Sequence, residues 1–124
     1  MDSTEKVVFE FDYMRMDTVL AHVKLTNKGV QFENFCNDPV FLPFGIKERA
    51  NINDLYEFFE DRCFPRTRGN CTEVLESMGL TKYDPYEIVK RTNGFMYDSL
   101  CWIKFSTDKD LTWDKLSRKF RLHN

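Results

Sequence analysis

The spacing of apolar residues changes from a period of two to a helical period partway along the chain, and this change restricts the fold more than any other feature. Residues 18–26 and 30–35 are rich in β-branched and alternating apolar side chains, and they flank Asn27-Lys28-Gly29. Gly29 can take a positive φ, so the stretch predicts a β-hairpin. Residues 7–11 predict an extended segment before it. The first third is therefore expected to be rich in β-structure.

The middle of the chain carries helical spacing instead. Residues 53–62 predict a first helix, with Asn53 as its N-cap and an inward stripe that ends at Arg62. A second helix is predicted after Pro65, and Gly79 occupies its C-cap position. Both helices show the i, i+3, i+4 spacing of buried positions. The stripe residues are Leu55, Phe58, Phe59 and Arg62 in the first helix, and Cys71, Val74, Leu75 and Met78 in the second.

The third helix has the clearest boundaries. Asp84 is its expected N-cap, Pro85 its first residue and Glu87 the partner in a capping box, while Asn93-Gly94 ends it. A short strand is predicted at 101–105 and a last amphipathic helix at 112–120. The two prolines of residues 38–45 exclude an α-helix and predict an irregular strap across the core.

Together these elements predict an α+β fold in a single domain of residues 1–124. An N-terminal hairpin or small antiparallel sheet packs against three short helices, followed by a late strand and a C-terminal helix. Hydrophobic content of 42% is enough for one core. The net charge of −2 excludes a strongly basic nucleic-acid binder and a strongly acidic DNA mimic as classes.

The cysteine and histidine content argues against a metal site or cofactor. The four cysteines form no C-x-x-C pair, and the chain has two histidines. His22 is expected on the solvent side of its strand. The N-terminus lacks the pattern of a signal peptide and no segment has the length of a membrane span, so we expect a cytoplasmic protein with free thiols. The cysteines are Cys36, Cys63, Cys71 and Cys101.

The heptapeptide RCFPRTR, residues 62–68, is the candidate site. Arg62, Arg66 and Arg68 could bind a phosphate or a partner's carboxylate, and the last two are expected in the first turn of the second helix, where backbone amides also attract anions. The favoured alternative is a structural corner at Pro65, in which the arginines pair with nearby acids such as Asp98. The acids considered are Glu57, Glu60, Asp61, Asp84 and Asp98. Cys63 beside two arginines is a weak candidate nucleophile, and Trp102 is expected in the core.

Nucleic-acid binding is a further alternative. The second and third helices have the length of a helix-turn-helix, but the second of them begins with Asp84 and Glu87, which would face phosphates. A basic stretch lies at Arg118, Lys119 and Arg121. No phosphate-binding loop or catalytic signature is present, so an enzyme is disfavoured.

Five segments in order resemble small bacterial proteins that are often carried on mobile elements, and a shorter form of the pattern resembles the segment that accompanies HipA-like serine/threonine kinases. The segments are FLPFG (41–45), LYEFFEDRCFPRTR (55–68), LESMGL (75–80), YDPYEIVKRTNG (83–94) and DSLCWIKF (98–105). The resemblance implies an accessory or docking role at Arg62, Pro65, Arg68, Asp98 and Trp102. The kinase itself is absent. Ser99 stands where such families carry a second aspartate, so a two-carboxylate role is in doubt.

The leading hypothesis is therefore a non-enzymatic cytoplasmic interaction module that docks on a protein partner of the kinase or toxin type. The main alternative is a phage or mobile-element inhibitor of host defence, such as an anti-CRISPR protein that blocks a nuclease. A helix-turn-helix-like nucleic-acid binder is the third. The sequence does not predict the oligomeric state.

Overall fold

The computed structural model describes residues 5–96 and 98–121, and its strands form one antiparallel sheet. The strands are β1 (Val7–Arg15), β2 (Thr18–Thr26), β3 (Gly29–Asn34) and β4 (Cys101–Phe105). They lie in the order β3-β2-β1-β4, which places β3 and β4 at the two edges. The predicted hairpin is confirmed as β2 and β3, with Gly29 at φ 123°.

A second hairpin, between β1 and β2, carries no turn signal in the sequence. Met16 lies in its two-residue turn at φ 51°, a region that residues with a Cβ seldom occupy. Two long-range hydrogen bonds hold it there: its N–H donates to Leu100 O at 2.9 Å, and Trp102 Nε1 donates to its carbonyl at 2.6 Å. Tertiary contacts therefore replace the glycine or asparagine that such a turn normally needs.

The helices are α1 (Ile52–Asp61), α2 (Cys71–Ser77), α3 (Pro85–Thr92) and α4 (Trp113–Arg121). With the sheet they give the predicted α+β fold, which is confirmed. The predicted ending of α2 is also confirmed. Gly79 has φ 80°, and its N–H and that of Leu80 bond back to Glu76 O and Leu75 O, as in a Schellman motif.

Two details of the helix caps differ from prediction. Asn51, not Asn53, caps α1, because Asn51 and Asp54 exchange side-chain to backbone hydrogen bonds in a reciprocal capping box. Asp84 caps α3 as expected. The Glu87 carboxylate does not complete that capping box; it accepts from Arg91 one turn later at 3.5 Å.

The sheet carries a core on each face. On the first face Phe11, Tyr13 and Val23 pack against α1 and α3, and Phe11 stacks on Phe58 with ring centroids 6.0 Å apart. On the second face α4 covers one end of the sheet. The main buried side chains are Leu55, Phe58, Phe59, Ile88 and Val89 on the helices of the first face, and Met14, Trp102 and Leu116 on the second.

The strap of residues 38–45 contains a short 3-10 turn at Pro39–Phe41, which Asp38 caps. Proline at the first position is compatible with this tighter helix because its missing N–H has no partner there. Phe44 is buried against Phe32, with ring centroids 4.9 Å apart. Val40 is 82% exposed, so the strap does not bury all of its apolar side chains.

Candidate functional site

Arg62 ties the end of α1 to the loop before β4. Its guanidinium donates to Gly94 O at 2.9 and 3.1 Å and to Cys101 O at 2.6 Å, with a longer contact to Ser99 Oγ at 3.4 Å. The tie that the sequence predicted therefore exists, but its acceptors among the described residues are backbone carbonyls and a hydroxyl rather than carboxylates. Gly94 lies close to Arg62, since a Cβ at position 94 would be 3.4 Å from the Cβ of Arg62.

This tie is part of a larger arrangement that closes the outer edge of β4. Hydrogen bonds join Ser106 N to Glu10 O and Met16 N to Leu100 O. The backbone N–H and C=O groups of the even-numbered residues of β4 therefore point toward β1, and those of the odd-numbered residues point outward. Each outward backbone group then has a partner. Cys101 N donates to Ser99 Oγ, and Cys101 O accepts from Arg62. Ile103 N donates to Asn93 O, and Ile103 O accepts from Asn93 Nδ2. Phe105 N donates to Asp108 Oδ2, and Phe105 O accepts from Asp108 N.

Asn93 can serve β4 in this way because it lies in the left-handed region, at φ 55°. There it ends α3 and turns both its carbonyl and its side-chain amide toward Ile103. Asn93, which ends α3, thus also supplies hydrogen-bond partners to the outer edge of β4.

Arg66 and Arg68 do not lie in the first turn of α2. The chain makes two turns after Pro65, with hydrogen bonds from Arg68 N to Pro65 O and from Cys71 N to Arg68 O, so α2 begins only at Cys71. The predicted placement of these two residues in the first turn of α2 is therefore wrong.

The two arginines occupy different surroundings. Arg66 contacts Glu60 at 3.3 Å and lies 4.4 Å from the ring centroid of Tyr83. Arg68 donates to Asn70 Oδ1 at 2.6 Å and lies 5.9 Å from the Phe64 ring. Both arginines are exposed. Unlike Arg62, they are available to a second molecule.

A groove of about 540 Å³ runs beside the arginine corner, the name used here for residues 62–68. Its walls come from α2, α3, α4 and the loop that follows α3, and most of them are apolar. Arg68 and the exposed Asp98 are among the lining residues, yet no ion pair joins them within the described residues. The lining residues are Arg62, Cys63, Phe64, Pro65, Arg68, Val74, Met78, Ile88, Thr92, Phe95, Met96, Asp98 and Phe120.

Cys63 is buried behind the corner and is unsuited to act as a nucleophile. Its thiol donates to Phe59 O at 3.1 Å, and burial raises the pKa of Cys63 to about 12. Trp102 is fully buried, as predicted. Pro65 is exposed at the rim of the groove rather than enclosed in a buried corner.

A polar cluster on the second face of the sheet was not predicted from the sequence. His22 lies between Asp12, at 2.6 Å from Nδ1, and Glu10, at 2.9 Å from Nε2. Partial burial alone would lower the pKa of His22, but the two carboxylates outweigh it and the pKa is raised. The alternation of β1 places both acids on one face, but only the β1–β2 register shows that His22 faces them.

The predicted nucleic-acid elements are engaged within the chain. Asp84 caps α3, and Arg118 pairs with Asp114 of the same helix at 3.2 Å. Lys119 lies 5.7 Å from the ring centroid of Phe120. The side chain of Arg121 lies outside the described residues.

Within residues 5–96 and 98–121, no group of three or more His, Cys, Asp or Glu side chains is arranged so that it could hold a metal ion. No helix in the same part of the chain combines the length and apolar character needed to cross a bilayer. A scan of protein-family models and searches of curated proteins and of solved structures find no match to this chain.

Proposed function

We propose that the protein is a non-enzymatic interaction module that docks on a partner protein through the groove beside the arginine corner. The observation that carries this proposal is the groove itself, because it combines apolar walls with an arginine at its rim. Such a combination suits a protein segment that presents apolar side chains next to a carboxylate. The occupant is therefore a partner segment that pairs an acidic residue with Arg68.

The arginines of the corner differ in their hydrogen-bond acceptors. Arg62 is occupied by carbonyls of the same chain, whereas Arg68 has a single neutral hydrogen-bond acceptor among the described residues, Asn70 Oδ1. An incoming carboxylate can replace this amide, since charge-assisted pairs with a guanidinium are stronger than neutral ones. Binding at Arg68 thus leaves the fold intact.

The chemistry of Cys63 and the sequence resemblance also support this class of function. The raised pKa of Cys63 leaves it without a reactive thiolate, and the chain carries no catalytic signature. Residues 41–105 resemble small bacterial proteins of mobile elements, and a shorter form of this pattern resembles the segment that accompanies HipA-like kinases, which favours a kinase or toxin-type partner over a nuclease or a nucleic acid.

A charge reversal at the groove tests the proposal. The tagged protein is purified from the cells that make it, the retained partner is identified by mass spectrometry, and its affinity is measured by calorimetry with purified components. Arg68→Glu is expected to weaken binding by about tenfold or more, which corresponds to about 1.4 kcal/mol. Thermal unfolding of the variant should stay close to that of the wild type.

Arg66→Glu is the matched control, because Arg66 is also an exposed arginine of the same turn but does not line the groove. It is expected to bind within about twofold of the wild type. Equal losses at both positions, or none at either, would contradict docking at the groove. A partner that proves to be a nuclease would favour inhibition of host defence, and binding only to nucleic acid with a steep salt dependence would favour the third hypothesis.

A further inference from the structure

The two edges of the sheet differ in how their backbone groups are satisfied. The outer edge of β4 is closed by side chains and turns, whereas β3 forms the opposite edge. A hydrogen bond joins Phe35 N to Leu20 O at 2.8 Å, so the backbone N–H and C=O groups of the odd-numbered residues of β3 point toward β2. The N–H and C=O groups of Val30, Phe32 and Asn34 therefore point outward. Within the described part of the chain, no hydrogen bond reaches these groups.

The strap packs Phe44 on the Phe32 ring, but no described residue of the strap forms a hydrogen bond to the outward backbone groups of β3. A groove of about 560 Å³ is lined by Phe32 and Asn34 of β3 and by residues of the strap. Apolar side chains are exposed around it: Phe35 is 56% exposed and Ile46, which lines the groove, is 86% exposed. An unprotected edge flanked by apolar side chains is a template for pairing with another strand.

We propose that β3 pairs antiparallel with β3 of a second copy of this chain, so that one sheet continues through both molecules. The register that pairs all the outward groups is centred on Phe32. It places each Val30 opposite Asn34 and each Gln31 opposite Glu33 of the other copy. The two-fold symmetry of such a pair makes every contact occur twice.

The charges along β3 favour this register. Gln31 donates one amide hydrogen to Glu5 at 2.5 Å, and the second can donate to the Glu33 carboxylate of the other copy. A shift of one residue pair toward Asn34 would set the two Glu33 side chains against each other, which is unfavourable for directly opposed like charges. A shift the other way would pair Asn34 with Lys28, outside the strand. The strand is thus complementary to itself in the register centred on Phe32.

Sedimentation equilibrium of the full chain from about 1 µM to about 1 mM tests the pairing. We expect a monomer–dimer equilibrium with a dissociation constant on the order of micromolar, because a single strand pair is a small interface. Asn34→Pro removes an outward N–H without touching the β2–β3 hydrogen bonds. It should weaken the dimer by about tenfold or more, while Asn34→Ala, which keeps the N–H, should stay within about threefold.

The register has its own test at position 31. Gln31→Glu sets a carboxylate opposite Glu33 and should weaken the dimer, whereas Gln31→Lys sets an ammonium there and should tighten it. Thermal unfolding at the lowest concentration verifies that each variant is folded. A monomer throughout the concentration range overturns the proposal. So does a dimer that Asn34→Pro leaves unchanged, because the copies would then meet through another surface.

Discussion

At the scale of single residues, Arg62 has the most specific role in the chain. It lies partly buried, 5.8 Å from the ring centroid of Tyr13, and its guanidinium satisfies two carbonyls that no other described group reaches. Lysine cannot replace it, since one ammonium lacks the planar fork that serves both acceptors. The residue therefore supports the fold at a position where the sequence alone also allows a binding site.

The role of Arg62 predicts a clear loss of stability when it is changed. Arg62→Ala should lower the free energy of unfolding by about 2 kcal/mol or more, because buried acceptors lose their donor. Arg62→Lys should recover only part of it. Chemical denaturation measures both, with Arg66→Ala as the control, expected within about 0.5 kcal/mol of the wild type. Similar effects at positions 62 and 66 would contradict this assignment.

His22 predicts a pH dependence of stability. Its two short contacts both need an N–H, so they favour the imidazolium. Because the pKa is raised in the folded state, the added stability is fully present below the ordinary value of 6.5 and is lost as pH rises through the folded-state pKa. The melting temperature of the wild type should therefore fall between about pH 6 and pH 8 relative to that of His22→Gln. Parallel pH profiles for the two proteins would refute the role of His22.

At the scale of elements, α2 is the least supported helix among those with a full side-chain description. It has seven residues, buries only Leu75, and lacks a side-chain hydrogen bond at its N-cap Asn70. The side-chain oxygen of Asn70 accepts from Arg68 instead. Short helices gain most of their stability from packing, so α2 is expected to open at a lower free energy than α1 or α3.

Hydrogen–deuterium exchange followed by mass spectrometry measures this difference. Amides of residues 74–77 should exchange before those of residues 56–61 and 88–92 under native conditions, because the latter belong to helices with two or more buried side chains. Partner binding at the groove should slow exchange in α2, which forms one wall of it. Equal protection in all three helices would show that α2 belongs to the same cooperative unit.

The sequence predicts elements well where the signals are local. The cap and stop of α3, the turn at Gly29 and the bounds of β4 follow from residues within each element, and the structure confirms them. The turn at Met16 depends on Trp102 and Leu100, which lie far along the chain, so no local pattern predicts it. The carbonyl acceptors of Arg62 are backbone atoms, which carry no signature in a sequence.

At the scale of the whole molecule, the sheet separates surfaces with different properties. One edge is closed by Arg62, Asn93 and Asp108, while the outward backbone groups of β3 have no hydrogen-bond partner among the described residues. The groove beside the arginine corner lies near the closed edge, where Arg62 belongs to both. The same heptapeptide thus holds Arg62, which stabilises the fold, and Arg68, which is proposed to bind the partner.

Site-specific photocrosslinking tests docking at the groove most directly. A photoreactive amino acid replaces Val74, which lines the groove, or Thr72, an exposed residue of the same helix that does not. Position 74 should crosslink to the partner that the wild type retains and that Arg68→Glu binds more weakly, and position 72 should not. Crosslinks of equal yield from both positions, or from position 72 alone, would contradict the assignment of the groove as the docking site.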